Sequence, residues 1–362
     1  MTEAEKTVCV TGASGYIASW IVKYLLEEGY TVHGTVRDRR RKTAHLLRLA
    51  EESAAAGGHL ELFEADLLKP GSFDEAVRGC SVVYHTASPF FIAARRGDPR
   101  KVFVEPAVEG TRNVLEACLK PAALESLRRV VVTSSIVAVF GDFDQKDCRT
   151  QGAYTEADWN TTSTLRSYPY AYSKVRAEQT AWEVAQKKQP PGRKWDLVTV
   201  LPGAVLGPSL SSTTESGTVE LMQQLLSGQM SVGTPDIIVP VVDVRDVARA
   251  HLRAGADRKN VPSGRYVTVA KTVSFMDLAD MLRPEFGGKI ALPKRVLPKW
   301  LFYVIGPFVG ISGSMVRHRI GVPLQVDNRK SIRALQLEYR PVQTTVLEHA
   351  RQMAADGIVK VK

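Results

Sequence analysis

Short apolar runs rich in β-branched residues recur through the first two hundred positions, and helix-length segments separate most of them. Such runs indicate buried strands, and their alternation with helices is typical of βαβ units around a parallel sheet. The predicted strands cover residues 7–11 (TVCVT), 31–36 (TVHGTV), 60–65 (LELFEA), 81–87 (SVVYHTA), 129–135 (RVVVTSS) and 196–202 (DLVTVLP). The predicted helices cover residues 15–28, 40–55, 72–78, 104–119 and 170–186. Six such strands predict an α/β chain with a doubly wound parallel sheet, the Rossmann fold.

The pattern changes after residue 202. A stretch rich in Gly, Ser and Thr covers residues 203–217, and strand–helix segments follow at 237–255 and 265–286. The last seventy residues are mixed in pattern and interrupted by proline. We therefore expect residues 1–202 to form a nucleotide-binding domain that carries the helix at 170–186. Residues 203–362 should form mainly a smaller C-terminal α/β lobe that binds the substrate.

Composition narrows the class of protein. The 362 residues are 44% hydrophobic and 24% charged, as in ordinary soluble proteins, and the formal net charge is +10. No basic arm stands apart from the predicted fold, so we expect no nucleic-acid partner. The four cysteines lie far apart without a C-x-x-C pair, which indicates neither a metal site nor a disulfide framework.

The sequence predicts neither a signal peptide nor a membrane span. The first predicted strand begins near Thr7, which leaves no room for a signal peptide, so the expected location is the cytoplasm. The apolar run at 300–311 is too short for a membrane span and contains Gly306 and Pro307. We expect neither a transmembrane span nor contact with a membrane surface. We also expect the chain to be either a monomer or a homodimer.

A glycine-rich turn links the first strand to the first helix. Its spacing is Gly12-x-x-Gly15-x-x-Ala18. A dinucleotide pyrophosphate requires a tight turn, a backbone that it can approach closely and a helix N-terminus aimed at its charge. The position of this turn at the head of a βαβ unit therefore predicts dinucleotide binding by Thr11, Gly12, Ser14, Gly15, Tyr16 and Ile17.

The end of the second strand indicates which dinucleotide binds. A carboxylate there serves the ribose 2′-hydroxyl of NAD, whereas cations accommodate the 2′-phosphate of NADP. Arg37 occupies this place and begins the basic run that ends at Lys42, although Asp38 lies between them. We predict NADPH/NADP⁺ as the cofactor. After the third strand, Asp66 with Leu67 is placed to meet the adenine, although a plain turn aspartate fits as well.

The stretch "YPYAYSK" at 168–174 holds three tyrosines and a lysine. Residues four apart share one face of a helix, so Lys174 lies beside Tyr170 and not beside Tyr172. An ammonium group at this distance should lower the phenol pKa from its usual value of about 10. Tyr168, just before Pro169, should lie outside the helix. A carbonyl-reducing enzyme needs such an acid, and strand five ends in a candidate hydroxyl donor, either Ser134 or Ser135.

Together these motifs resemble the extended short-chain dehydrogenase/reductase family, in particular its dihydroflavonol-reductase-like group, which includes cinnamoyl-CoA reductases. The resemblance covers nearly the whole chain and includes VTGASGYIASWIVKYLLEEGY, GTVRD, HTASP, EGTRNVLEAC, VVVTSS, YAYSKVRAEQTAW, LPGAVLGP and VDVRDVARAH. It implies a catalytic triad of Ser135, Tyr170 and Lys174. It also implies that Lys174 binds the nicotinamide ribose and that Arg37 and Lys42 bind the 2′-phosphate. Further cofactor contacts that it implies are Thr86, Ala87, Ser88, Pro202 and Val205.

Several departures from the family pattern bear on the substrate. Phe140 stands where dihydroflavonol reductases have a polar Asn or Asp, and SYPYAYSK replaces the N-W-Y-C-Y-x-K stretch of cinnamoyl-CoA reductases. Glu109 replaces the Asn that is usual in the related sugar epimerases. The expected substrate pocket is mainly apolar and consists of Pro89, Phe90, Val137, Phe140, Tyr168 and Gly203.

The sequence therefore predicts an NADPH-dependent carbonyl reductase that converts a ketone or an aldehyde reversibly to an alcohol. Its substrate should be apolar and either aromatic or alicyclic. Two enzyme alternatives remain, a 3β-hydroxysteroid dehydrogenase-like and a cinnamoyl-CoA reductase-like oxidoreductase. A non-catalytic protein that senses NADPH is the alternative of a different class.

Overall fold

The computed structural model describes residues 6–88, 98–148, 150–192, 194–211, 217–256 and 258–359. The strands are β1 (Thr7–Thr11), β2 (Thr31–Val36), β3 (His59–Glu64), β4 (Val82–His85), β5 (Arg129–Thr133), β6 (Asp196–Pro202), β7 (Ala204–Leu206), β8 (Ile238–Asp243), β9 (Gly264–Thr268) and β10 (Lys271–Ser274).

Helices lie between and after these strands. They are α1 (Tyr16–Glu27), α2 (Ala44–Ser53), α3 (Asp74–Val77), α4 (Glu105–Ala117), α5 (Pro121–Leu124), α6 (Pro169–Lys187), α7 (Gly217–Leu226), α8 (Val244–Ala256), α9 (Phe275–Phe286), α10 (Lys299–Val309), α11 (Gly313–His318), α12 (Arg329–Ala334) and α13 (Val342–Ala355). Single 3₁₀ turns occur at Ala54–Ala56, Ile136–Ala138 and Phe143–Gln145, and a π-helical turn at Arg100–Val104 precedes α4.

The main sheet confirms the predicted doubly wound fold. Its strand order is β3-β2-β1-β4-β5-β6-β9, and every neighbouring pair is parallel. The chain order reverses direction between β1 and β4, and such a switch point opens a ligand crevice at the carboxyl ends of the strands. The prediction of six strands was one short, because β9 also joins this sheet.

Alternate residues of each strand supply the two apolar layers that hold helices on the sheet. On β1, Val8 and Val10 pack into the layer beneath α1 and α8, whereas Cys9 faces the opposite layer beneath α4 and α6. This alternation follows from the two-residue period of a strand. All four cysteines are buried free thiols.

The C-terminal lobe has its own small sheet and core. The sheet has the order β10-β8-β7, with β8 antiparallel to β10 and parallel to β7. The predicted division at residue 202 is not a clean break, because α8 packs against α1 and β9 pairs with β6. Two later segments of the chain therefore complete the main sheet and its helix layer before the lobe continues.

Candidate active site

A cavity of about 670 Å³ opens at the carboxyl ends of the central strands. The loops after β1, β4, β5 and β6 all reach its wall, as does the first part of α6. Its position is the switch point of the sheet, where doubly wound proteins bind their ligands. Fourteen of the predicted site residues line it: Gly12, Gly15, Tyr16, Ile17, Thr86, Ser88, Ser135, Val137, Phe140, Tyr170, Lys174, Pro202, Gly203 and Val205.

The glycine turn forms one end of the cavity. Gly12 has a φ of +67°, and a Cβ there would lie 3.1 Å from the Cα of Ala87. Its N–H donates to Thr35 Oγ1 at 3.1 Å, which ties the turn to the neighbouring strand. Gly15 is the N-cap of α1 and carries no side chain that could cover the N–H groups of the first helical turn. The turn therefore has the shape that a pyrophosphate requires.

Not every predicted cofactor residue reaches this wall. Thr11 is fully buried, and its Oγ1 accepts a hydrogen bond from Ala87 N at 3.1 Å and contacts His85 Nδ1 at 2.9 Å. Leu67 and Ala87 line a separate cavity of about 20 Å³ beside the main one. Ser14 lies in the turn but is not part of the wall. Thr11 therefore joins β1 to the loop after β4.

The basic loop after β2 lies on the surface next to the glycine turn. The Arg37 side chain is exposed and forms no hydrogen bond or ion pair with the residues that the structure describes. Lys42 is exposed and adopts a left-handed φ of 58°. The carboxylate of Asp38 accepts the N–H of Arg40 at 2.8 Å, so Asp38 is engaged within its own turn. Asp66 is similar, because its Oδ1 accepts the N–H of Leu68 at 2.8 Å.

Helix α6 places the tyrosine and lysine as the spacing predicted. Tyr168 is the N-cap, Pro169 is the first helical residue, and Tyr170 and Lys174 both line the cavity. The Lys174 Nζ lies 5.6 Å from the centre of the Tyr170 ring. Tyr172 is absent from the wall, as expected for a residue on another face of the helix. Tyr170 is 44% exposed, so its phenol is accessible to a ligand in the cavity.

The direction of the Tyr170 pKa differs from the sequence-based expectation. Desolvation by the surrounding protein raises the pKa of Tyr170 to about 12 and lowers the pKa of Lys174 to about 8. The Lys174 ammonium donates to Ser88 Oγ at 2.9 Å. Desolvation of a phenolate on the cavity wall therefore sets the direction of the Tyr170 pKa. Tyr170 is therefore a protonated acid at neutral pH.

The two serines after β5 have different surroundings. Ser134 is 6% exposed, and its Oγ donates to Glu178 Oε2 at 2.7 Å. Ser135 caps the turn Ile136–Ala138 through a long contact of 3.4 Å from Val137 N. Although both serines border the cavity, the hydroxyl of Ser134 is engaged with a carboxylate. Ser135 has the hydroxyl that can turn to a ligand.

A buried ion pair behind the triad was not predicted from the sequence. Glu178 lies one helical turn beyond Lys174 and is 1% exposed. Its Oε1 accepts from Arg265 Nε at 2.8 Å and from Thr199 Oγ1 at 2.9 Å. The Arg265 guanidinium also lies 3.7 Å from the centre of the Trp159 ring. The pair fastens α6 to β5, β6 and β9. The sequence feature that could have indicated this ion pair is a glutamate on the inner face of a predicted helix.

The far end of the cavity is mostly apolar. Val137, Gly203 and Phe140, which belong to the predicted substrate pocket, line it, and the Phe140 ring centre lies 4.8 Å from that of Tyr154 in the core. Tyr168 does not line it. Arg319 does line it, although sequence reasoning missed this residue, and its guanidinium lies 4.1 Å from the centre of the Tyr168 ring.

Among the described residues, two other charged side chains border this cavity, those of Lys174 and Glu220. The predicted pocket residues Pro89 and Phe90 lie outside the described residues.

Comparisons with known proteins agree with this geometry. The sequence profile of the NAD dependent epimerase/dehydratase family matches residues 8–270. The chain is 34% identical over 346 residues to cinnamoyl-CoA reductase CAD2 of Medicago truncatula, covering 94% of this chain and 93% of that protein. It is 38% identical over 301 residues to tetraketide alpha-pyrone reductase 1 of Arabidopsis thaliana, covering 82% and 85%.

Among solved structures, that of yeast methylglyoxal/isovaleraldehyde reductase Gre2 complexed with NADPH superposes with a TM-score of 0.75 at 29% identity. The superposition covers 96% of this chain and 98% of that one. The family profile spans the glycine turn, the serine pair and α6, which together form the cavity wall described above. The chain therefore belongs to the NAD dependent epimerase/dehydratase family, within which it is an extended short-chain dehydrogenase/reductase and an oxidoreductase.

Proposed function

We propose that this protein is an NADPH-dependent carbonyl reductase that acts on an apolar, aromatic or alicyclic ketone or aldehyde. The observation that carries the proposal is that Ser135, Tyr170 and Lys174 share one cavity wall with the glycine turn. A dinucleotide bound on the glycine turn and a carbonyl compound at the apolar end of the cavity would meet beside these three side chains. The reductase names of its relatives support the same class of reaction.

The glycine turn and α1 would hold the pyrophosphate, and Arg37 with Lys42 would hold the 2′-phosphate. NADPH bound there supplies the hydride. Arg37 supports this choice because its guanidinium is exposed and has no partner among the described residues. An arginine fork can grip a phosphate through two parallel hydrogen bonds.

Each member of the triad then has a distinct task. Ser135 donates a hydrogen bond to the carbonyl oxygen, which orients and polarises the carbonyl group. As the carbonyl carbon takes up hydride, Tyr170 gives its phenolic proton to the same oxygen and the alcohol forms. Its raised pKa keeps that proton in place at neutral pH. Lys174 carries a proton that can neutralise the tyrosinate, and its ammonium would also hold the ribose of a bound dinucleotide.

The composition of the cavity supports the substrate class. Most side chains around its far end are apolar, among them Val137, Phe140, Phe143, Ile237 and Val239. Arg319 offers a cationic donor at that end, so one polar acceptor on an otherwise apolar substrate would be accommodated. Burial of a ring system against these side chains would provide most of the affinity, at about 25 cal/mol per Å² of apolar surface.

The test is NADPH oxidation, followed by absorbance, against aromatic aldehydes, alicyclic ketones, flavonoids, acyl-CoA thioesters and steroids. Turnover restricted to thioesters or to steroids would select one of the two enzyme alternatives. NADPH binding without turnover on any member of the panel would favour the non-catalytic sensor.

Three tyrosine variants then test the mechanism. Tyr170→Phe removes one oxygen, and turnover should fall by about 10²–10⁴-fold while NADPH binding remains, because general acid catalysis is worth that factor. Tyr172→Phe is the matched control and should keep near-full turnover. Tyr168→Phe should alter KM more than kcat, because Tyr168 lies outside the cavity wall but its ring packs against Arg319, which lines it. A folded Tyr170→Phe enzyme with the parent rate would contradict the assignment of the acid.

A further inference from the structure

Helix α10 presents an uncovered apolar face to solvent. Trp300, Tyr303, Val304 and Phe308 are 66%, 51%, 62% and 89% exposed. Their spacing of three and four residues places them along one side of the helix. Single exposed apolar residues are ordinary, but a contiguous row of large ones marks an interaction site.

The opposite side of α10 holds the helix to the lobe, so the exposed row is not an undocked core face. Phe302 is 3% exposed and belongs to the core of the lobe. Gly306 is buried on the same side, where a Cβ would lie 2.5 Å from the carbonyl oxygen of Ile311. The helix is thus fixed in an orientation that points its second apolar face outward.

Neighbouring segments extend this surface. Val296 is 44% exposed just before α10, and Val232 is 69% exposed on the loop after α7. The Arg295 Nε donates to the carbonyl oxygen of Val232 at 3.3 Å, which holds the two segments together. We define the docking face as Val232, Val296, Trp300, Tyr303, Val304 and Phe308.

The charge around the docking face has one sign. No Asp or Glu occurs between Glu285 and Asp327. Exposed cations of that segment are Lys289, Lys294, Arg295, Lys299 and Arg317. Acidic residues from elsewhere in the described part of the chain meet the segment beyond α10, where Asp142 and Asp144 both lie within 4.8 Å of His318. Asp144 pairs with His318 at 2.8 Å, and the backbone of Asp236 bonds Gly321.

We propose that the docking face binds the surface of an anionic lipid bilayer. Exposed aromatic side chains flanked by lysine and arginine are the chemistry of helices that lie in the lipid interface. The exposed apolar row of α10 can lie only on the surface of the bilayer. Helix α10 has eleven residues, and no described helix is long and apolar enough to cross a bilayer. A second copy of this chain is a poorer occupant, since two such faces would bring like charges together. This inference replaces the expectation of no membrane-surface contact.

Trp300 provides a direct reporter. It is exposed, whereas Trp20, Trp159, Trp182 and Trp195 are buried or half-buried. The full-length protein is mixed with vesicles of phosphatidylcholine alone or of phosphatidylcholine with phosphatidylserine, each with and without brominated lipid. We expect quenching of tryptophan emission and co-sedimentation with the serine-containing vesicles, both weakened by salt.

Variants separate the apolar and the cationic contributions. The double variant Lys294→Gln and Lys299→Gln should weaken binding by about 25-fold, because each cation near an anionic surface strengthens it about fivefold. Trp300→Ser combined with Phe308→Ser should abolish binding. Matched controls on other surfaces, Leu47→Ser and Lys69→Gln, should bind like the parent. A thermal melt establishes that each variant is folded.

Three results would overturn the proposal. The first is no sedimentation with either kind of vesicle. The second is equal binding to neutral and anionic vesicles, or binding that the docking-face variants do not alter. The third is a homodimer in solution that is lost in the variant with Trp300→Ser and Phe308→Ser, since the face would then belong to a second copy.

Discussion

Ser134 and Ser135 are adjacent in the chain, yet the structure gives them separable roles. The perturbation is a single alanine substitution at each. Ser134 donates to the carboxylate of Glu178 at 2.7 Å, and both residues are buried. A hydrogen bond to a charged group is worth about 1.5–3 kcal/mol. Glu178 keeps Thr199 and Arg265 as partners, so we expect Ser134→Ala to cost about 2 kcal/mol near the middle of that range.

Ser135→Ala should have the opposite profile. Its long contact with Val137 N, at 3.4 Å, contributes about 0.5 kcal/mol at most, as for a weak helix cap. In the proposed mechanism, however, its hydroxyl stabilises the carbonyl oxygen as charge develops. Loss of one such donor typically lowers kcat by about 10²–10³-fold.

The assays are thermal unfolding and steady-state NADPH oxidation on the same preparations. A loss of 2 kcal/mol lowers Tm by roughly 3 °C, because a chain of 362 residues has an unfolding entropy of about 0.76 kcal/mol/K. Ser227→Ala, on the exposed surface of the lobe, serves as a control that should change neither quantity. The reasoning would be refuted if Ser134→Ala abolished turnover at unchanged Tm while Ser135→Ala lost stability at the parent rate.

Two further predictions concern the affinity of Arg37 for the cofactor and the effect of buried histidines on stability at low pH. Arg37→Ala should weaken NADPH by about 30-fold, or about 2 kcal/mol, because it removes a phosphate partner, and should leave NADH nearly unchanged. Binding titrations check this, and equal losses for both cofactors would contradict it. Desolvation lowers the pKa of His85 to about 3 and those of His251 and His349 to about 4. Below pH 6.5, the usual histidine pKa, these side chains therefore bind protons in the unfolded chain but stay neutral in the folded chain. Stability should fall from pH 6.5 toward pH 4, by about 2 kcal/mol per histidine at pH 5. A Tm that is the same at pH 7 and pH 5 would contradict this.

Local pattern was enough to predict the sheet and much of the candidate site. Six strands and the glycine turn follow from runs and spacings within a few residues of each other. The shared face of Tyr170 and Lys174 follows from the helical repeat alone, and the structure places both on the cavity wall. Such features need no knowledge of distant parts of the chain, because a helix or strand imposes its own period.

Long-range contacts decided the rest. The seventh strand comes from residues 264–268, and the arginine that holds Glu178 lies 87 positions away from it. Arg319 reaches the cavity wall from the C-terminal lobe, whereas Tyr168 lies outside that wall. The period of a strand or helix contains no information about such partners.

The protonation of Tyr170 also depends on both the local sequence pattern and the long-range contacts of the fold. The sequence places an ammonium group one helical turn away, from which a lowered pKa is expected. The folded chain partly desolvates both groups and directs Lys174 to Ser88, so desolvation dominates and the pKa of Tyr170 rises instead. Spacing along a helix determines which groups are neighbours, whereas their charge depends on how much water the rest of the fold leaves around them.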